Sequence, residues 1–390
     1  MMKKVGVAIL GFGDVGVATY QTLVNHREFY LKTQRVDLTV EMVYDKSAEC
    51  LTAQGIPEEN HANSIEEVIA NPLVDIVVET MGGVDVARTF VSAALREGKT
   101  VVTCNKELIC KHLQELEEIA RRTGCGLYYG ASCVGGVPVL RTLFDGVQAN
   151  CIQKIMGVID GANNDNGYST AYQLSILSSV AFNTQIPYTA ISREDAVGIN
   201  ANDVVYGKEL GYAFKPLIIA KKSDKGIEAR ISPAFISFAN PLASVSPCNN
   251  AVYMTGDTME EIMLLGKGTG ALPTASALVS DVIYAATHSE IKYSTFNQAP
   301  AKEINFIEDF ESGYYLRLFA TDEVGLLAKI TSVFAKYKVS IVRIAQKNEG
   351  AGVALVIITS PMRETIVNKI VEKINELDTA TVGACIRVEE

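Results

Sequence analysis

Residues 5–10 (VGVAIL) form an uninterrupted apolar run, the pattern of a strand buried on both faces of a parallel sheet. Residues 17–26 (VATYQTLVNH) then space their apolar groups as a helix does. The alternation continues with strands over 38–45 (LTVEMVYD), 74–80 (VDIVVET) and 100–105 (TVVTCN), and with helices over 86–98 and from Lys106 to about Gly124. Strands alternating with helices predict an α/β chain with a doubly wound parallel sheet, whose ligand crevice lies at the carboxyl ends of the strands. Residues 293–313 lose clear periodicity, contain Pro300 and read as a connector. From Tyr314 the order is strand, helix, strand, strand, helix, strand, which is a βαββαβ ferredoxin-like sandwich.

A chain of 390 residues, 48% hydrophobic and 21% charged, buries a sizeable core and divides into two or three domains. Its net charge of −10 argues against nucleic acid or an anionic membrane as partner. The apolar run after Lys3 and Lys4 breaks at Gly11 and Gly13, so it reads as a strand and not a secretion signal. No stretch approaches the ~20 apolar residues of a membrane span. Eight cysteines without CxxC spacing, and four histidines without HxxxH or HExxH, predict reduced thiols, a cytoplasmic location and no structural metal.

GFGDVG (11–16) stands between the first strand and the first helix, which is where a dinucleotide fingerprint belongs. Gly11 permits the tight turn, Gly13 lets backbone approach a pyrophosphate, and Gly16 lets the helix pack on the strand. Phe12, Asp14 and Val15 complete the loop, whose helix N-terminus favours phosphate charge. Asp45 ends the second strand, where a carboxylate accepts the ribose hydroxyls of NAD; Lys46 and Ser47 beside it suit the 2′-phosphate of NADP equally well. Two further segments reach the crevice: ETMGG (79–83), with Thr80, Met81 and Gly82, and TCNKEL (103–108), with Asn105 and Lys106. Lys106, opening a helix at a strand end, is placed as a proton donor to a carbonyl would be.

GFGDVG, DIVVETMGGVDVAR, GKTVVTCNKELI, GASCVGGVPVLRTL (130–143) and GKGTGALPTASALVSD (266–281) together resemble the successive signatures of the homoserine dehydrogenase family. The resemblance implies a Rossmann NAD(P)-binding domain over 1–135 and a mixed α/β substrate and dimerisation domain over 136–292. It implies reversible hydride transfer between NAD(P)H and aspartate semialdehyde, in threonine and methionine biosynthesis. It also makes Lys106 the catalytic lysine and adds Ser132 and Gly268 to the cofactor residues. The 314–390 segment resembles an ACT domain, with DEVGLLAKI (322–330) as its opening loop and helix. An ACT domain implies an amino-acid effector, threonine being the family expectation, held by a loop such as Asp322, Gly325 and Leu326 against a neighbouring copy. The chain is accordingly expected to form a homodimer or homotetramer.

Four departures fall together in the substrate region. Aligning GANNDNGYSTAYQL (161–174) with the family's substrate helix puts Ser169 at the substrate aspartate and Gln173 at a second lysine, while a glutamate-bearing loop is missing. Neither residue forms an ion pair or donates a proton at neutral pH. Asn163, Asn164 and Asp165 remain as polar groups of the shortened loop, and they equally suit a plain turn. Gly130 stands where the family has a glutamate of a monovalent-cation site, leaving the backbone carbonyls of Cys133, Gly135 and Val137 as a weakened site. Three readings stand: a dehydrogenase of homoserine, a dehydrogenase of another small hydroxy or aldehyde compound, and a non-catalytic paralogue that binds nucleotide and amino acid.

Overall fold

A computed structural model describes residues 3–159, 167–195, 198–288, 304–349 and 352–390. The chain forms two compact units interleaved in sequence: residues 1–153, 159–190 and 247–303 make the first, and 154–158, 191–246 and 304–390 the second.

The first unit opens with strands β1 (Lys3–Leu10), β2 (Val36–Tyr44), β3 (Ile76–Glu79), β4 (Thr100–Thr103) and β5 (Leu127–Tyr128), all parallel, in the order β2-β1-β3-β4-β5. Six helices accompany them: α1 (Asp14–Asn25), α2 (Arg27–Gln34), α3 (Ala48–Ala53), α4 (Ile65–Ala70), α5 (Asp85–Arg96) and α6 (Lys106–Thr123). β3 is buried at every position, as its apolar run requires of a central parallel strand. Asn105 caps α6 by accepting from Leu108 N–H, and Gly124, at φ 71°, ends it in the left-handed conformation that glycine adopts without penalty. Beyond the sheet come α7 (Val139–Arg141), α8 (Tyr168–Phe182) and, after the hairpin at 250–266, a helix at Ala271–Thr287. That last helix returns to the dinucleotide fold, where Leu278, Val279 and Val282 join Val7, Ile9, Leu23 and Val78 in one apolar core.

The second unit holds all but the first two residues of β6 (Ile152–Val158), with β7 (Ser192–Arg193), α9 (Ala201–Glu209), β8 (Tyr212–Ser223) and β9 (Gly226–Ser237). It also holds the C-terminal βαββαβ sandwich, whose first strand, Glu311–Ala320, begins inside the segment read as a connector. Its sheet runs Ala380–Glu389, Glu311–Ala320, Gly352–Thr359, Ile341–Glu349, antiparallel throughout, which is the ferredoxin-like order. The C-terminal strand also pairs in parallel with β9, Val388 opposite Phe235.

Candidate active site

Gly11 adopts φ 92°, and a Cβ there would stand 2.8 Å from Met81 backbone atoms. A Cβ at Gly16 would meet Gly11 O at 2.2 Å, whereas one at Gly13 would touch nothing within 4 Å. Gly11 and Gly16 are therefore needed for packing, and Gly13 leaves an open face at the start of α1, which carries no side-chain cap. The first-turn N–H groups of that helix, including Asp14 and Val15, are the donors a pyrophosphate requires.

Beside them lies a cavity of about 460 Å³ whose walls include Gly11, Tyr44, Asp45, Met81, Gly82 and Phe90. Its size and its position at the strand ends fit one half of a dinucleotide. Lys46 lines it too. The carboxylate of Asp45 accepts from Phe12 N–H at 2.7 Å and from Ser47 N–H at 3.0 Å, so it braces the glycine loop from the cavity side. Phe12 turns its ring into the core, edge-on to Tyr20, and its N–H is taken by Asp45. Thr80 donates to Gly11 O at 2.7 Å and ties the end of β3 to the glycine loop.

Lys106 is half-buried at the first position of α6, next to the capping Asn105, whose side-chain N–H donates to Gly83 O at 2.6 Å. The neighbouring Glu107 carboxylate accepts from Lys111 at 2.6 Å and from the Tyr172 hydroxyl at 3.3 Å. Glu107 raises the Lys111 pKa, chiefly through that hydrogen bond. The Lys111 ammonium also lies 5.5 Å and 5.8 Å from the ring centres of Tyr172 and Tyr188.

Ser169 and Gln173 stand one turn apart on α8 and both are buried. Gln173 Oε1 accepts from Val134 N–H at 2.8 Å, tying α8 to the Cys133–Val134 backbone. The Cys133 thiol is fully buried, which pushes its pKa up to about 12. Ser132 is buried as well and donates to Tyr129 O at 2.7 Å, so its hydroxyl is committed locally. Gly268 lies against Asn250, since its Cβ would fall 1.8 Å from Asn250 Nδ2, and a Cβ on Gly135 would fall 2.1 Å from Gly268 O. These two glycines let the 135 and 268 loops touch. Asn163, Asn164 and Asp165 lie outside the described residues.

A carboxylate does reach position 130, from Asp281 on the Ala271–Thr287 helix. Its Oδ2 accepts from Gly130 N–H at 2.8 Å, and its Oδ1 from Arg141 at 2.7 Å. A Cβ on Gly130 would fall 2.7 Å from Asp281 Oδ2, so a side chain there requires the Asp281 carboxylate to move off Gly130 N–H. Among the described residues no group of three or more His, Cys, Asp or Glu is arranged to hold a metal. Val137 is buried, and its N–H donates to Val134 O.

The sequence reading passed over Glu79. It is completely buried at the end of β3 and accepts from Met81 N–H at 2.8 Å and from the Thr103 hydroxyl at 2.6 Å. Burial raises its pKa, and these bonds pull the other way.

In the second unit, Gly325 (φ 90°) starts the helix Leu326–Lys336 with no side-chain cap, Asp322 and Val324 are exposed, and Leu326 is buried in the sandwich core. The loop thus offers backbone donors and a carboxylate, while Leu326 serves packing.

The chain matches three family models: "Homoserine dehydrogenase, NAD binding domain" over residues 11–130, "Homoserine dehydrogenase" over 165–283 and "ACT domain" over 314–379. It is 30% identical to the homoserine dehydrogenase of Neisseria gonorrhoeae, covering 97% of this chain and 96% of that one. The Bacillus subtilis enzyme is 29% identical over 100% of this chain and 99% of its own. A crystal structure of a homoserine dehydrogenase from Thiobacillus denitrificans superposes with a TM-score of 0.88 at 30% identity, covering 100% of this chain and 99% of that one. An archaeal homoserine dehydrogenase mutant in complex with NADPH shares the fold at a TM-score of 0.59 and 21% identity, covering 72% of this chain and 97% of that one.

Proposed function

The chain belongs to the homoserine dehydrogenase family, and on that premise we propose that it interconverts aspartate semialdehyde and homoserine with Lys106 as the proton donor. It is an NAD(P)-dependent oxidoreductase with a C-terminal ACT domain. The observation that carries the proposal is Lys106 itself, at the first position of α6, beside the capping Asn105 that is anchored to the Gly83 carbonyl.

The nicotinamide, when bound, supplies or accepts the hydride. Lys106 protonates the oxygen of the reduced carbonyl, and in the reverse direction takes the proton from the hydroxyl. Glu107 serves as counter-ion of the substrate ammonium, because it is the carboxylate that meets the first turns of α8 through Tyr172. It would exchange the Lys111 ammonium for that of the substrate. The pyrophosphate rests on the start of α1 and the adenosine ribose against Asp45, whose charge favours NAD over NADP.

A second reading, a dehydrogenase of a hydroxy compound without an amino group, is favoured by Gln173, whose amide oxygen is already taken by Val134 N–H. The two separate in an assay following NAD(P)H absorbance with homoserine and with 4-hydroxybutanoate. Turnover of homoserine at least tenfold faster supports the first reading, and the reverse order supports the second. The ACT loop at Asp322 and Gly325 is assigned a small amino acid, with threonine the first to test, shared with a neighbouring copy in a homodimer or homotetramer.

A further inference from the structure

We infer that Glu79 is a positioning residue, holding the nucleotide-facing turn 81–83 and the start of the Lys106 helix in one register. The inference deepens the proposed function and rests on its placing of Lys106.

The carboxylate closes a ring of hydrogen bonds. Glu79 Oε1 accepts from Met81 N–H at 2.8 Å, and Oε2 from the Thr103 hydroxyl at 2.6 Å. The Thr103 oxygen accepts from Asn105 N–H at 2.9 Å. The Asn105 side chain donates to Gly83 O at 2.6 Å and returns to the first turn. Its other end, Oδ1, accepts from Leu108 N–H at 3.1 Å and caps α6. Thus β3, the cavity wall and the helix start are joined through one buried side chain.

The ring has a direction that only a carboxylate satisfies at both oxygens. The threonine has a single proton, and it goes to Glu79. A glutamine keeps the bond from Met81, but presents N–H groups to Thr103, whose own proton is then left facing a donor. A valine at Thr103 removes the acceptor of Asn105 N–H and the hydroxyl bond to Glu79 Oε2. A serine keeps the hydroxyl. Strand pairing of β3 with β4 and β1 is made by backbone and does not need the ring, which is why the side chain's role lies in aiming the two turns.

The test compares full-length wild type, Glu79→Gln, Thr103→Val and Thr103→Ser, reading the NADH dissociation constant by fluorescence titration and kcat with homoserine at saturating NAD⁺. Folding is checked by far-UV circular dichroism. The inference expects Glu79→Gln and Thr103→Val each to weaken NADH and to lower kcat about 10- to 100-fold, the scale on which small misplacements act. Thr103→Ser should stay within about threefold of wild type, and the double variant Glu79→Gln/Thr103→Val should lose no more than the worse single one, since both break one ring. Folded Glu79→Gln and Thr103→Val that keep both quantities within twofold of wild type would overturn it, as would losses that multiply in the double variant. Absence of homoserine turnover in the wild type would defeat the activity reading alone, because the NADH constants still decide the role of Glu79.

Discussion

Gln173 hands its amide oxygen to the backbone N–H of Val134, 2.8 Å away, and Val134 is a β-branched residue held at φ 58°. That conformation costs of order 1–3 kcal/mol and persists only where the surroundings impose it. Gln173→Ala should therefore destabilise the protein by about 1–3 kcal/mol, the cost of an orphaned buried donor, measured by urea unfolding. Gln173→Lys should be at least as costly, and should not raise homoserine turnover, because a lysine cannot accept from Val134.

Asp45 accepts two backbone N–H bonds while lining the cavity beside the glycine loop, so its charge both braces the loop and faces the cavity. Asp45→Ser should shift the kcat/KM ratio of NADP⁺ to NAD⁺ upward by about tenfold or more, through loss of repulsion of the 2′-phosphate. An unchanged ratio in steady-state assays would remove Asp45 from cofactor selection.

Glu107 is tested by deleting the charge and, separately, the group it is assigned to hold. Glu107→Gln should raise KM for homoserine about tenfold, the scale of a lost charge-assisted bond, and leave 4-hydroxybutanoate kinetics unaffected. Equal effects on both substrates would reduce Glu107 to the surface partner of Lys111.

Gly130→Glu tests whether the family's cation carboxylate has room. The Asp281 oxygen 2.7 Å from the would-be Cβ makes the substitution crowded, and it sets a second carboxylate against the buried one of Asp281. The variant should lose about 1–3 kcal/mol of stability, and sodium should not restore it.

Glu79 gives a pH dependence whose sign can be worked out. Burial lifts its native pKa above the ordinary carboxylate value, so the native state holds the proton more tightly than the unfolded chain. Between the unfolded and native values stability falls as pH rises, and Glu79→Gln should flatten that part of the profile. Activity should run the other way, rising with pH over the same window, because the hydrogen-bonded ring needs the ionised form. The adjacent Cys104 thiol, pushed up to about 12 by burial, stays neutral there and does not confuse the profile.

The legible parts of this molecule are those written in local pattern. The apolar run before Gly11, the three glycines and the helix after them announce the dinucleotide turn, and the strand-helix alternation announces a parallel sheet, though not its strand order. The place of Lys106, after a strand end and at a helix start, was readable from the pattern. Glu79 was not, since a carboxylate ending an apolar strand says nothing of a threonine 24 residues on. Asp281 meets Gly130 across 151 residues, and helical periodicity marks which face of its helix is apolar without naming the partner. For the same reason the return of Ala271–Thr287 to the first core was hidden.

The most direct measurement is kcat for homoserine oxidation by Lys106→Ala beside the wild type, each at saturating nucleotide with equal NADH affinity confirmed by titration. A proton donor at that position predicts a fall of about 10²- to 10⁴-fold with nucleotide binding preserved. A variant that turns homoserine over at the wild-type rate would contradict the account.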